Sequence, residues 1–191
     1  LLGAPEQLTD LLLHDGLMDA TTGEGMGDQT ERLAAEHGFT RQALDEVAYY
    51  SQKRAAEATS AGLFKTEITP IEVKTRKGVQ IIETDEGIRG ETTLESLGKL
   101  RPAFNPQGVL TAGNSSQISD GAAALILASA EAVERYGLTP LGKILGGSWA
   151  GGPSWRFPEV PIFAAQKLLA KLKMEVSDFH LTLAALREYA F

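Results

Sequence analysis

The run Thr111-Ala112-Gly113-Asn114-Ser115-Ser116-Gln117-Ile118-Ser119-Asp120-Gly121-Ala122-Ala123-Ala124 concentrates small side chains and hydroxyls. It leads straight into the apolar stretch Leu125-Ile126-Leu127-Ala128. Where no Cβ bulk intervenes, a ligand can lie close to the main chain. Other chemistry is thinly represented. The chain has no cysteine, so it contains no thiolate nucleophile, disulfide or cysteine metal site of its own. Its histidines, His14, His37 and His180, show no metal-ligand spacing and no recognisable triad with Asp or Ser. They are assigned to structure or solvent. Glu24-Gly25-Met26-Gly27 lacks the glycine spacing and the following lysine of a phosphate loop.

The elements that must position this run follow from periodicity and caps. Glu6 to Leu17 places Leu8, Leu11, Leu12 and Leu17 on one side, as a short helix would. Asp28 is expected to cap a helix that runs to His37 and stops at Gly38. Thr40 is expected to cap the longest helix, Arg41 to Ala61, with Leu44, Val47, Ala48, Ala55 and Ala58 at helical spacing and Gly62 as its stop. Ile68 to Val73 and Val79 to Ile82 read as a hairpin joined by the polar turn Lys74-Thr75-Arg76-Lys77-Gly78. Thr92 to Leu97 suggests a helical turn or two before Pro102. Ala122 to Ala128 reads as a buried strand, and Ser129 as the cap of a helix ending at Gly137. Leu141 to Leu145 begins another strand, Gly146 to Pro158 is loop, and Ile162 to Lys173 is an amphipathic helix. The order changes near residue 118, from irregular α+β to alternating strand and helix as in a layered α/β fold.

Composition narrows the classes. The 191 residues allow one large domain or two small ones. A formal net charge of −7 argues against a nucleic-acid binder. No apolar run approaches a membrane span, and the start Leu1-Leu2-Gly3 has neither an initiator Met nor a signal peptide. The expectation is a fragment whose true N-terminus is missing. Localisation is then illegible, with the cytoplasm favoured.

The run from Thr111 resembles the T-A-G-N-x-S-x-x-x-D-G-A-A signature of the thiolases, enzymes that make or cleave 3-ketoacyl-CoA. Further segments are similar in family order and near-family spacing. They are Asp15-Gly16-Leu17-Met18-Asp19-Ala20, Met26-Gly27, Phe64-Lys65-Thr66-Glu67-Ile68-Thr69-Pro70-Ile71, Arg76-Lys77-Gly78, Asp85-Glu86-Gly87-Ile88-Arg89 and Lys99-Leu100-Arg101-Pro102-Ala103-Phe104. The resemblance implies an α/β, thiolase-like layered fold, incomplete, with an irregular α+β loop domain. It assigns 1–118 to the coenzyme A-binding loop domain, 119–138 to the end of the N-terminal thiolase half and 139–191 to the start of the C-terminal half. It implies a transferase of fatty acid metabolism, an acyltransferase acting between 3-ketoacyl-CoA and CoA by thiolysis or Claisen condensation. Coenzyme A enters as substrate, without a separate cofactor or metal. The full-length enzyme would be a homo-oligomer, with no nucleic-acid or membrane partner.

The resemblance also suggests site residues, each with a plainer reading beside it. Arg89 is placed near the CoA nucleotide, or pairs with Asp85 and Glu86. Ser96 contacts the nucleotide end, or caps its own turn. Ser116 donates to the pantetheine arm, or caps a loop; Ala112 is small to admit that arm. Leu17, Met26 and Phe104 line the pocket, or serve packing. Lys74, Arg76 and Lys77 attract CoA phosphates, or form a solvated tip.

Departures from the family are plain. Its acyl-carrying cysteine would precede Leu1, and its Gly-His-Pro histidine and second cysteine would follow Phe191. The Asn-Glu-Ala-Phe segment survives only as an echo in Glu188-Tyr189-Ala190-Phe191, through a shifted frame or a truncation. The usual glycines are missing from Arg156-Phe157-Pro158-Glu159-Val160-Pro161, and Gly25 stands where some thiolases carry histidine. No catalytic residue is assigned. The isolated chain is expected to be inactive, supplying coenzyme A recognition to a thiolase. The alternatives are a non-catalytic CoA-binding or interaction module, or a non-functional truncated product.

Overall fold

The computed structural model describes residues 8–178. The first residues of the expected N-terminal helix, His180 and the tail echo at Glu188–Phe191 lie outside the described residues. The described chain divides into two compact units. One is Gly27–Ile118; the other joins the segment up to Met26 with that from Ser119 onward.

The unit Gly27–Ile118 is built on two helices. α1 spans Met26–Glu36 and buries Leu33 and Ala34 together with the polar Gln29 and Glu31. It begins two residues before the expected cap. Asp28 therefore sits in the first turn, where its charge complements the helix dipole. At its far end Gly38 takes a φ of 67°, which lets Phe39 N–H donate to the Ala34 carbonyl at 2.9 Å. α2 spans Arg41–Ser60, and Thr40 Oγ1 caps it by accepting from Ala43 N–H at 3.2 Å. Leu44, Ala48, Ala55 and Ala58 are half-buried as their spacing predicts, but Val47 is exposed. The most buried residue of this helix is the carboxylate Asp45.

β1, Ile71–Thr75, pairs antiparallel with β2, Gly78–Ile82, setting Ile71 opposite Ile82 and Thr75 opposite Gly78. The hairpin is real but the turn is only Arg76-Lys77. Thr75 Oγ1 tightens it, donating to the Gly78 carbonyl at 2.9 Å and accepting from Lys77 N–H at 3.2 Å. The first strand starts later than expected. Ile68 N–H is tied back to the Phe64 carbonyl at 3.0 Å, and Pro70 has no N–H for a ladder. α3, Leu94–Gly98, carries a capping box between Thr93 and Ser96 and packs against α2. The chain then doubles back: Pro102 bridges Thr111, and Ala103 N–H donates to the Leu110 carbonyl at 2.8 Å. Leu33, Ala34, Leu97 and Leu110 are the buried apolar residues of this unit.

In the other unit, Leu12–Leu17 is a π-helical turn, with Asp10 Oδ1 accepting from Leu12 N–H at 2.9 Å. A bridge between Met18 and Gly25 closes the glycine-rich loop. α4, Ala130–Tyr136, is capped by Ser129 and ended by Gly137 as expected. α5, Val160–Leu172, starts two residues before its predicted position and buries Ile162. Two expected strands do not form. Ala122 to Ala128 and Leu141 to Leu145 pair with nothing among the described residues, and Leu125, Ile126 and Leu127 are 88%, 95% and 76% exposed. An apolar run becomes a strand only when a neighbour accepts its ladder hydrogen bonds. The hairpin β1–β2 is the only sheet among the described residues.

Candidate functional site

The loop Gly108–Ser116 is held from beneath by side chains of α1 and α2. Glu31 of α1 accepts from Val109 N–H and from Leu110 N–H, both at 2.9 Å. Glu31 is 7% exposed, and its carboxylate fills the space where a side chain at residue 108 would begin, so glycine is needed there. Asp45 of α2 accepts from Asn114 Nδ2 at 2.9 Å. The same amide donates to the Val109 carbonyl at 3.1 Å, while Asn114 Oδ1 accepts from Thr111 N–H at 2.7 Å. Thr111 is wholly buried, and its Oγ1 accepts from Gly113 N–H at 3.1 Å. A Cβ on Gly113 would stand 2.6 Å from both Leu97 Cδ2 and Leu100 Cδ1. The loop is therefore pinned by four polar side chains, those of Glu31, Asp45, Thr111 and Asn114, and wedged against two leucines.

The pinned segment presents its other side outward. Ala112 and Ser116 are exposed, and Ser116 Oγ donates to the Gln117 carbonyl at 3.1 Å. Arg89 is exposed; its backbone N–H donates to Gln52 Oε1 at 2.7 Å. Its guanidinium has no ion-pair partner among the described residues. Asp85, a suggested partner, instead accepts from Gly87 N–H at 2.8 Å. Ser96 is engaged in the capping box: Oγ donates to the Thr93 carbonyl at 2.8 Å and accepts from Thr93 N–H at 3.1 Å. Phe104 is 46% exposed and its ring covers Gly27, where a Cβ would fall 2.2 Å from Cδ1. These five residues lie in the unit Gly27–Ile118, whereas Leu17, half-buried, and Met26, exposed, belong to the other.

The remaining candidates behave simply. Arg76 and Lys77 form the hairpin tip and Lys74 lies in β1, all exposed. His14 contacts Asp15 at 2.6 Å, and His37 stacks on Phe39 with ring centroids 5.5 Å apart. Among the described residues no cluster of His, Asp and Glu could hold a metal ion. No described helix is long and apolar enough to cross a membrane. A shallow cavity of about 350 Å³ lies beside the hairpin, lined by Phe64, Ile68, Ile71 and Ile82 with Glu67 and Asp85 among its polar groups. Sequence reasoning missed Glu31, Arg41 and Asp45, which position the loop without belonging to it. The faint signal for Glu31 and Asp45 was a carboxylate on each helix at a position that turns inward.

Comparison with known proteins adds the lineage. The profile of the family described as "Thiolase, N-terminal domain" matches residues 3–131. This chain belongs to the thiolase family. It is 69% identical over 181 residues to an acetyl-CoA acetyltransferase of Synechocystis sp., covering 95% of this chain and 46% of that protein. The crystal structure of human mitochondrial 3-ketoacyl-CoA thiolase superposes with a TM-score of 0.87 at 39% identity, over 94% of this chain and 45% of that one. The same human enzyme in complex with CoA gives 0.84 at 37% identity, over 94% of this chain and 44% of that one. The fold is thus thiolase-like α/β. The chain spans a little under half the length of these relatives.

Proposed function

We propose that this chain provides the coenzyme A-gripping part of a thiolase. In that reaction a 3-ketoacyl-CoA and CoA exchange an acyl group, by thiolysis or by the reverse Claisen condensation. The supporting observation is the unpaired, exposed guanidinium of Arg89 in the same compact unit as the braced loop bearing Ala112 and Ser116. A multiply anionic ligand favours an uncommitted cation, and a pantetheine arm favours a small residue beside a hydroxyl. Naming of relatives as acetyl-CoA acetyltransferase and 3-ketoacyl-CoA thiolase, one of them solved with CoA, agrees with this reading. Residues 1–118 form the loop domain in this proposal, followed by the end of one thiolase half and the start of the other. Ser96 contributes through its remaining lone pair, and Phe104 through apolar contact.

The acyl-carrying step needs a nucleophile such as a thiolate, and this sequence has no cysteine. The same observation favours the second reading, a CoA-binding module that does no chemistry alone. Isothermal titration of the full chain with CoA at low and high salt tests the site. Binding is expected, weaker as salt screens the phosphates, and abolished by Ser116→Tyr. Binding that Ser116→Tyr leaves intact would remove the ligand from this loop.

A further inference from the structure

We infer that the Arg41–Asp45 pair of α2 is a positioning unit that locks α3, bearing Ser96, to the loop bearing Ala112, so that the two segments respond to a ligand together. This rests on the coenzyme A reading of that loop. Arg41 Nε donates to Asp45 Oδ2 at 2.7 Å, and Arg41 Nη2 donates to the Leu97 carbonyl at the end of α3. Asp45 Oδ1 meanwhile accepts from Asn114. An unbroken hydrogen-bonded path therefore runs from α3 through one ion pair to Asn114, and on to Val109 and Thr111.

Each member of the path is suited to its place. The Leu97 carbonyl lies in the last turn of α3, where it also accepts from Leu100 N–H at 3.0 Å, so Arg41 supplies a further donor to an acceptor with two lone pairs. A planar guanidinium fork serves that carbonyl and a carboxylate in different directions at once, with its donors held in fixed geometry. Asp45 is 4% exposed, so solvent screens the pair far less than it would at the surface. The packing runs parallel to the polar path. Leu97 and Leu100 occupy the space beside Gly113, and close-packed groups transmit displacement because there is no void to absorb it. Neither Arg41 nor Asp45 is assigned contact with the ligand; they act through Ser96 and the loop.

Two conservative variants of the full chain test this. Arg41→Lys keeps the charge and loses the fork; Asp45→Asn keeps the shape and turns an amide toward Asn114. Each is expected to weaken CoA binding roughly tenfold, the scale of one lost charge-assisted hydrogen bond. Without ligand, each alone is expected to speed hydrogen exchange at both Leu97 and Leu100 and at Thr111 and Gly113. A merely structural pair would lower the melting temperature and leave the affinity of the folded chain unchanged, which overturns the role in binding. Loosening confined to α3 in Arg41→Lys and to the loop in Asp45→Asn overturns the coupling. If the wild-type chain gives no CoA heat while exchange spreads across both segments, the coenzyme A reading fails and the coupling stands.

Discussion

Removing the Glu31 carboxylate should unfasten the loop at Val109 and Leu110. In the native unit both backbone N–H groups donate to it at 2.9 Å, and Leu110 is 7% exposed. Glu31→Ala leaves two donors without their acceptor. A buried donor stripped of its partner costs about 1–3 kcal/mol. Val109 is only half-buried, so water offsets part of its loss, and removing a buried charge relieves some desolvation. The sum is about 2–4 kcal/mol. Glu31→Gln keeps one acceptor and turns its amide hydrogens toward the other donor, for about 1–3 kcal/mol. Gly108 supplies an independent perturbation. A Cβ there would lie 2.0 Å from Glu31 Oε1 and 2.4 Å from Cδ, so Gly108→Ala must displace the carboxylate or itself. It should reproduce the Glu31→Gln loss. Combined with Glu31→Ala it should add little, because the space is then empty. The assay is hydrogen exchange at Val109 and Leu110, with urea unfolding followed by far-ultraviolet circular dichroism. A Glu31→Ala loss within about 0.5 kcal/mol, the range of ordinary surface substitutions, would refute the latch. So would full additivity with Gly108→Ala.

Gly27→Ala should destabilise the same unit by about 1–3 kcal/mol through overpacking against the Phe104 ring, read as a lowered unfolding midpoint that Phe104→Leu partly restores. The Ser129 hydroxyl, and next its own backbone N–H, hold the Glu131 carboxyl below its ordinary range. A carboxyl depressed in the folded state favours folding above its unfolded value, and that contribution is lost as pH falls through the lowered one. Ser129→Ala should therefore raise the Glu131 titration seen by NMR and flatten the acid dependence of α4; an unchanged titration refutes the hydrogen bond. The isolated chain should not consume acetoacetyl-CoA with added CoA, because no residue here supplies the thiolate such a transfer uses. Turnover that survives repurification, or an acylated protein by mass spectrometry, would contradict this.

Elements closed by local chemistry were legible in the sequence. Thr40, Ser129, Gly38 and Gly137 terminate helices where their types predict, since a cap is decided within about four residues. Strands were harder. The hairpin was found because its partner is adjacent in sequence, whereas Ala122–Ala128 and Leu141–Leu145 have the composition of strands and no partner among the described residues. Periodicity reports which face is apolar; it does not supply a neighbour. At the candidate site, family likeness pointed to Arg89, Ala112 and Ser116, which the structure leaves exposed. The residues beneath were missed because polar types at helical positions usually mean solvent, and Glu31 and Asp45 are the exceptions that burial and hydrogen bonding justify.

Those exceptions bear on why such a loop would be built this way. A glycine- and serine-rich segment left to itself loses much conformational entropy when a ligand orders it, about 1–2 kcal/mol for each residue fixed. Here that ordering has already happened during folding. Glu31 fixes residues 109 and 110, Asp45 fixes Asn114, and the leucines at 97 and 100 close the space beside Gly113. A preorganised surface binds more tightly for the same contacts, because less freedom remains to be lost. In the coenzyme A reading, the small residues then face the ligand without making the loop soft. Rigidity comes from carboxylates behind the loop, leaving its outer face to Ala112 and Ser116. This separation explains why substitutions beneath the loop should change affinity without touching the ligand, whereas Ser116→Tyr should act by occupying its place.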